Sequence, residues 1–357
     1  MPMIIFLTAA LPLLTACGDK AADDTANTID PLSLSVTGDG PMSVGYRLVE
    51  QTWIEPTGES LTVPISIWYP TTQTSGEAPW YFDLVEDTEA ILDATPADPL
   101  HDGGHPVLIF SHGSFLYGGS SSFLARHFAS HGWVVAAPDH IGNTLADYGD
   151  IPLPIYYRRP LNDRAAVDAI EAQSDLGQAE TSRFMLAGYS FGGYDTWGSI
   201  GGQLNRQTFQ DQCDSDAFSD CTEAQLSVLE AGFFDDRIVG AIVLAGAGRF
   251  EYFTDGGLTD LGVPVMQMSG TEDHDDPQQM WDLSEGTALT WVSIESGCHE
   301  MFSFGGCPDF DREAGYDLIE SYTLAFARHH LLDDEGGEVT GLLDGSLSWE
   351  SVVLQTR

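Results

Sequence analysis

The segment FMLAGYSFGG, residues 184–193, decides the fold class of this chain. Its first four residues are apolar, as in a buried strand, and they run directly into the pattern G-x-S-x-G at positions 188–192. Between a strand and a helix, this pattern forms a sharp turn that lifts a serine hydroxyl above the end of a sheet. Glycine is needed on either side because the strand and the helix pass too close together for a side chain. The segment therefore predicts a nucleophile at Ser190.

The chain on both sides of this segment alternates between the patterns of buried strands and of helices. Continuous apolar runs, typical of strands covered on both faces, occupy residues 106–110, 133–137, 184–187, 238–244, 263–268 and 290–294. Helical spacing occupies residues 120–130, 164–172 and 317–332. Because strands that alternate with helices form a parallel sheet between helical layers, the predicted fold class is α/β with a mostly parallel central sheet.

Three further elements are predicted outside this alternation. Residues 46–54 and 61–69, separated by a Pro-Thr-Gly turn, have the pattern of a hairpin. A short helix is expected over residues 87–92. Residues 207–236, with eight acidic side chains, are expected to form an acidic insertion after the nucleophile helix.

A serine hydroxyl becomes a good nucleophile when a base removes its proton and an acid orients that base. In proteins that carry the serine on such a strand–turn–helix, the three residues follow one another along the sequence as serine, acid and histidine. His299 is the predicted base because it follows the last predicted parallel strand in a glycine-containing loop, where catalytic groups collect in α/β sheets. His274 is a weaker candidate, and His329 and His330 lie on the predicted terminal helix.

The predicted acid lies in the acidic loop that follows the strand over residues 263–268. Asp273 has the preferred spacing from this strand and from the proline that ends the loop, and its acidic neighbours are Glu272, Asp275 and Asp276. A calcium site in the same loop would lack the spacing of an EF-hand. No metal and no organic cofactor is therefore predicted.

Two backbone N–H groups must face the negative charge that develops on the substrate oxygen. One is expected from Phe191, the residue after the nucleophile. The other is expected from the loop after the strand over residues 106–110, with Ser114 preferred and Phe115 as the alternative. His112 in this loop is predicted to be structural.

The charge balance argues against nucleic acids and anionic lipid surfaces as partners. The 357 residues include 13 Lys and Arg against 55 Asp and Glu, a net charge of −42. Nucleic acids and anionic lipid surfaces are bound by clustered basic residues, so neither is expected as a partner. Because 43% of the residues are hydrophobic and 11% are aromatic, the chain nevertheless has ample material for a folded core.

The first residues predict export. An apolar run over residues 4–14 closes on Leu-Thr-Ala-Cys, which resembles a bacterial lipobox in which Cys17 is acylated and becomes the new N-terminus. The alternative is an ordinary signal peptide cut near the same position. The predicted organisation is a signal peptide over 1–16, a flexible tether over 17–42 and a hydrolase domain over 43–357. Lipid on Cys17 would anchor the protein in the cell envelope, on the periplasmic or cell-surface side.

Four cysteines remain after Cys17, an even number for an oxidising compartment. Of the three possible connectivities, local pairing of Cys213 with Cys221 and of Cys298 with Cys307 is preferred. A zinc site is the alternative, but the spacing of the histidines and cysteines does not support it.

Several motifs together resemble a known group of proteins. FSHG at 110–113, ASHGWVVAAPDH at 129–140, RPL at 159–161 and GYSFGG at 188–193 resemble the α/β-hydrolases that include platelet-activating-factor acetylhydrolase and dienelactone-hydrolase-like esterases. The likeness extends over roughly residues 65–302. It implies the α/β-hydrolase fold and a carboxylic ester hydrolase that uses Ser190, an acid and His299. Here the strand over residues 238–244 is followed by no acid, so Asp273, one strand later, takes that position.

The resulting hypothesis is an exported, lipid-anchored serine esterase that acts on a small-molecule or lipid-like ester and contacts the membrane only through its anchor. Two alternatives remain. One is a surface-binding lipoprotein that has kept the fold without activity. The other is a serine peptidase of the same fold.

Overall fold

A ten-stranded sheet forms the centre of the molecule, in a computed structural model that describes residues 30–218, 221–246 and 248–357. The strands are β1 (Ser43–Ile54), β2 (Ser60–Thr71), β3 (Trp80–Tyr81), β4 (Val85–Glu86), β5 (Ala90–Leu92), β6 (Val107–Ser111), β7 (Val134–Pro138), β8 (Phe184–Tyr189), β9 (Ile238–Leu244), β10 (Val265–Gly270), β11 (Leu289–Ile294) and β12 (Val352–Thr356). The helices are α1 (Ser122–Ser130), α2 (Ile155–Glu171), α3 (Phe191–Ser199), α4 (Arg206–Asp214), α5 (Glu223–Ala231), α6 (Pro277–Leu283), α7 (Arg312–Leu332) and α8 (Gly337–Asp344).

The order across the sheet is β12-β11-β10-β9-β8-β6-β7-β2-β1-β5, and β3 pairs with β4 separately. The strands from β11 to β7 are parallel to one another, whereas β12 and β2 run antiparallel to their neighbours at the two sides of this block. The predicted mostly parallel sheet is therefore confirmed. Strand β8, which carries the nucleophile turn, lies in the middle between β6 and β9.

The alternation of side chains along β8 divides the core into two layers. Leu186 packs in the cluster with α2 and α3, whereas Met185 and Ala187 pack in the cluster with α1 and α7. All three side chains are at most 1% exposed. Both faces of the sheet are thus covered by helices, which is why β8 is apolar without interruption.

Helix α2 begins at Ile155, nine residues before the predicted start, and contains Pro160. Proline removes a helical hydrogen bond and normally breaks the helix. Here the hydroxyl of Tyr194 on α3 donates to the carbonyl of Tyr156, four residues before the proline, at 3.1 Å. A tertiary contact therefore supplies the donor that Pro160 lacks.

The predicted short helix over residues 87–92 is wrong. Asp87 lies between β4 and β5, and β5 pairs in parallel with β1. The buried carboxylate of Asp87 accepts hydrogen bonds from the Tyr81 hydroxyl at 2.5 Å, from Arg126 at 2.8 Å and from the Glu89 amide at 3.0 Å. An aspartate that bonds the backbone two residues ahead favours a turn over a helix.

Residues 207–236 contain α4 and α5, which are joined by the Cys213–Cys221 disulfide. Phe209 and Leu229 are fully buried in the core layer of α2 and α3. The segment therefore covers one face of the fold with its apolar side. Six of its acidic side chains are exposed, whereas Asp235 is buried and pairs with Arg237 at 2.7 Å.

The N-terminal segment is described only in part. The predicted signal peptide, Cys17 and residues 18–29 lie outside the described residues. Residues 30–42, predicted as part of a tether, lie against the domain: Val36 is fully buried, and the Gly40 amide donates to the Ser130 hydroxyl at 2.8 Å. The folded domain thus begins before residue 43. Within the described part of the chain, no helix combines the length and apolarity that a membrane span requires.

We predict that Glu320 on α7 makes the fold less stable at alkaline pH. Burial, followed by the nearby charges of Asp317 and Asp39, raises the pKa of Glu320 to about 8, against an ordinary value of 4.5. Because the folded state then holds a proton that the unfolded state releases, stability falls as the pH rises from about 4.5 to about 8. At pH 8 the free energy of unfolding of Glu320→Gln is expected to exceed that of the wild type by at least about 1 kcal/mol.

Urea unfolding measured at pH 6 and pH 9 tests this prediction. Glu335→Gln, at a side chain that is 73% exposed, is the matched control and should keep the pH dependence of the wild type. An unchanged pH dependence in Glu320→Gln would contradict the assignment.

Candidate active site

The nucleophile turn connects β8 directly to α3. Ser190 has φ 52° and ψ −112°, a conformation that a residue with a side chain rarely adopts and that the surrounding structure must hold in place. A Cβ at Gly188 would meet the carbonyl of Gly192, and a Cβ at Gly192 would meet the carbonyl of Ser111. These close approaches explain the glycines of G-x-S-x-G as a consequence of packing.

Three predicted residues form a continuous chain of hydrogen bonds. Ser190 Oγ lies 2.9 Å from His299 Nε2, and His299 Nδ1 lies 2.8 Å from Asp273 Oδ1. A carboxylate only accepts hydrogen bonds, so Nδ1 carries the ring proton in this arrangement. The unprotonated Nε2 then faces the serine hydroxyl, as a general base must.

The structure distinguishes Asp273 from its acidic neighbours. The Asp273 side chain is 1% exposed, and its Oδ1 also accepts from the Asp275 amide at 3.1 Å. Asp275 Oδ2 lies 4.0 Å from His299 Nδ1, beyond hydrogen-bond distance. Asp276 instead caps α6, and Glu272 is exposed. Of the four acids in this loop, Asp273 alone makes a hydrogen bond to the ring of His299.

His299 lies on a short 3₁₀ turn, His299–Phe302, after β11 and is 7% exposed. The Tyr189 ring packs 5.3 Å from the imidazole, centre to centre. The preceding residue is joined to the next loop by the Cys298–Cys307 disulfide, so both predicted disulfides are confirmed. The other candidate base, His274, packs with its ring centre 4.1 Å from that of His299 at a tilted angle, and its side chain is 66% exposed.

We predict that the two disulfides differ in their effect on activity. Replacing Cys298 and Cys307 by Ala removes a link between residues nine positions apart, which is expected to lower the free energy of unfolding by about 2–3 kcal/mol. The same change frees the backbone beside His299, so kcat is expected to fall at least tenfold (about 1.4 kcal/mol) at a temperature where the variant is folded.

The double Ala variant of Cys213 and Cys221 is the matched control, because this disulfide joins residues eight positions apart, from α4 to the segment just before α5. A similar loss of stability without a comparable loss of kcat is expected. Equal effects of both variants on kcat would show that the Cys298–Cys307 link does not position His299. Esterase assays and urea unfolding on the same preparations provide both readouts.

The loop after β6 passes beside the nucleophile. A Cβ at Gly113 would lie 3.3 Å from the Ser190 Cβ. The Phe115 amide donates to the carbonyl of Asn143 at 3.0 Å, whereas no acceptor for the Ser114 amide is found among the described residues. Phe191 is the first residue of α3, where the backbone N–H has no acceptor within the helix. Ser114 and Phe191 therefore have N–H groups available beside Ser190.

A buried charged network beneath this loop was not predicted from the sequence. Arg159 on α2 donates to Asp195 Oδ2 at 2.7 Å, to Asn143 Oδ1 at 2.9 Å and to the carbonyl of His112. Both Arg159 and Asp195 are fully buried. The network therefore connects the loop after β6, which contains His112, to the segment after β7, which contains Asn143. The available signal was the RPL motif at residues 159–161, one of the motifs that carry the family resemblance.

Three further residues, Ser111, His112 and His140, extend the network. The Ser111 hydroxyl donates to Asp195 Oδ2 at 2.7 Å and lies 2.9 Å from His140 Nε2. His112 Nε2 accepts from the His140 amide at 3.0 Å, which supports the structural role expected for His112. Burial, together with the charge of Arg159, lowers the pKa of both histidines, so both rings are neutral.

One group of side chains in the described part of the chain has the geometry of a metal site. The ligand atoms of Asp273, His274, Asp275 and His299 lie within 4.8 Å of one another. A metal ion there would take one of the two ring nitrogens of His299, and both of them form the hydrogen-bond chain between Asp273 and Ser190. Metal binding and the hydrogen-bond chain to Ser190 therefore exclude each other.

The comparisons with known proteins agree with this architecture. The crystallised ferulic acid esterase from Streptomyces cinnamoneus superposes with a TM-score of 0.61 and 16% sequence identity, over 90% of this chain and 98% of that chain. This chain has the α/β-hydrolase fold. The predicted resemblance to α/β-hydrolases is thus confirmed at the level of the fold.

A second comparison covers part of this chain. The model of the chlorophyllase family matches residues 87–198, which include the loop after β6 and the nucleophile turn but neither Asp273 nor His299. No curated protein matches the sequence significantly.

Proposed function

We propose that this α/β-hydrolase is a serine esterase that cleaves carboxylic esters through an acyl-enzyme. The observation that carries the proposal is the hydrogen-bond chain from Ser190 through His299 to Asp273 at the end of β8. A chlorophyllase family match that includes the nucleophile turn and a structural neighbour named as a ferulic acid esterase support the choice of an ester as substrate.

Each residue of the hydrogen-bond chain has one catalytic role in this proposal. Ser190 Oγ attacks the ester carbonyl while His299 Nε2 takes its proton, and Asp273 holds the imidazole and stabilises its positive form. The N–H groups of Phe191 and Ser114 bind the oxyanion. His299 then returns the proton to the leaving alcohol. Water attacks the acyl-enzyme by the same route and releases the carboxylic acid.

A fluorophosphonate probe tests the proposal directly. The purified protein is expected to be labelled at one site, and labelling is expected to disappear in Ser190→Ala. Hydrolysis of 4-nitrophenyl esters of increasing acyl length, compared with peptide amides of 4-nitroaniline, separates an esterase from a peptidase. A folded wild-type protein that is neither labelled nor active on any ester would instead identify a binding protein on a hydrolase fold.

We further propose that the enzyme is exported and anchored by lipid on Cys17. The lipobox-like sequence at residues 14–17 supports this, and two disulfides are typical of an oxidising compartment. Cys17→Ala is expected to move the protein from the membrane fraction to the soluble fraction of a bacterial host. An unchanged distribution would contradict the anchor without affecting the proposed chemistry.

A further inference from the structure

One arginine packs on the residue after the nucleophile and has no carboxylate within 4.0 Å among the described residues. Arg249 follows β9 in the left-handed region, with φ 66°, and its Cζ lies 3.9 Å above the centre of the Phe191 ring. Phe191 directly follows Ser190. The neighbouring Gly248 comes so close to the acid loop that a Cβ on it would lie 3.1 Å from Asp275 Oδ2. The guanidinium therefore packs on the residue that follows the nucleophile, and the backbone beside Arg249 lies against the loop that carries Asp273.

The position of this guanidinium is set by two aromatic side chains. Arg249 Nη1 donates to the Tyr156 hydroxyl at 2.6 Å, and the guanidinium makes a cation–π contact with the face of the Phe191 ring. An arginine side chain has five N–H donors, and this is the one hydrogen bond that the Arg249 side chain makes to the described residues. Its remaining donors are available to a ligand.

This arrangement stands out against the other arginines of the described chain. Four of them have no carboxylate within 4.0 Å: Arg183, Arg249, Arg312 and Arg357. Of these four, Arg249 alone is partly buried rather than exposed. A positive charge that is shielded from water and not paired has a desolvation cost that a bound anion offsets. In a chain with 55 acidic residues, such a position points to a ligand.

We propose that Arg249 is a specificity-determining residue that binds a carboxylate of the substrate. The enzyme is then selective for esters that carry a free carboxylate near the scissile bond, on the acyl or the alcohol side. A planar guanidinium matches a carboxylate through two parallel N–H donors, and the two aromatic contacts preorganise it for that geometry. The inference rests on the proposed esterase function and adds the chemical class of its substrate.

Two matched pairs of esters test the proposal. On the acyl side, 4-nitrophenyl hydrogen glutarate is compared with 4-nitrophenyl valerate. On the alcohol side, 4-carboxyphenyl butyrate is compared with 4-carbamoylphenyl butyrate. The measured quantity is the ratio of kcat/KM for the charged ester to that for its neutral partner, in the wild type, Arg249→Gln, Arg249→Lys and Arg183→Gln.

In Arg249→Gln this ratio is expected to fall about tenfold or more in one pair, mainly through KM, since a hydrogen-bonded charge pair contributes at least that factor. Arg249→Lys is expected to keep part of the ratio. Arg183→Gln removes the same charge from an exposed position and is expected to keep the ratio of the wild type, which controls for the overall charge.

Two results would overturn the inference and are distinguishable from each other. If the wild type hydrolyses the neutral esters with Ser190 and the ratio in Arg249→Gln stays within about twofold of the wild type in both pairs, the carboxylate site is absent while the esterase proposal stands. If the folded wild type hydrolyses none of the four esters, the esterase proposal fails and the substrate class fails with it.

Discussion

Asp273→Asn is expected to lower kcat for ester hydrolysis by about four orders of magnitude. The carboxylate of Asp273 accepts the His299 Nδ1 proton at 2.8 Å, which leaves Nε2 free to take the proton of Ser190. An amide at this position can donate to Nδ1 and so favours the other tautomer, in which Nε2 carries the proton and no longer acts as a base. The structure around the ring is otherwise kept, so the loss is expected in kcat more than in KM.

Asp275→Asn is the matched control, because it makes the same chemical change two residues away. Asp275 Oδ2 lies 4.0 Å from His299 Nδ1 and does not accept its proton. A decrease of less than about tenfold in kcat is expected, from the lost charge alone. If Asp275→Asn were the more damaging of the two variants, the acid would be assigned to Asp275. Steady-state kinetics on one 4-nitrophenyl ester compares both variants with the wild type.

Arg159→Met is expected to lower the free energy of unfolding by about 3–5 kcal/mol. The guanidinium is fully buried and donates to Asp195 Oδ2 at 2.7 Å, so its removal leaves a buried carboxylate without its cation. The carbonyl of His112 and the side chain of Asn143 lose their donor as well. His112 lies in the loop that carries Ser114, and the carbonyl of Asn143 accepts from the Phe115 amide of the same loop, so kcat is expected to fall in addition.

Two further variants separate the reasons for this effect. Arg206→Gln breaks an ion pair with Glu223, which is 77% exposed, and is expected to change stability by less than about 1 kcal/mol. Combining Arg159→Met with Asp195→Leu removes both charges and is expected to recover part of the lost stability, though not the lost kcat. Urea unfolding decides the point. A loss in Arg159→Met no larger than in Arg206→Gln would show that the buried pair does not stabilise the fold.

The residues of the candidate site could be predicted from the sequence because each of them follows a strand. Ser190, Asp273 and His299 each come shortly after a strand of the parallel block, and the carboxyl ends of parallel strands meet at one edge of a sheet. The order of these residues along the chain was therefore sufficient to expect them together. The local pairing of the four cysteines could also be predicted, because the two cysteines of each pair are close in the sequence and close a short loop.

Other parts of the molecule depended on contacts between distant residues. Helix α2 continues through Pro160 because the Tyr194 hydroxyl replaces the missing donor. The turn at Asp87 replaces a helix because Tyr81 and Arg126 bind its carboxylate. Strand β12 exists because the edge of β11 provides its hydrogen-bond partners. No local pattern of hydrophobicity records these contacts.

The fold class, the position of the nucleophile turn and the candidate residues at the ends of the strands could be predicted from residue order, because strand burial and glycine spacing are properties of neighbouring residues. Three outcomes required the folded structure: which acid contacts His299, which amide of the loop after β6 has no acceptor among the described residues, and that Arg159 and Arg249 flank the Phe191 ring. These outcomes depend on distances of a few ångströms between elements that are far apart in the chain. Such distances are set by the packing of helices against the sheet, which the order of residues alone does not specify.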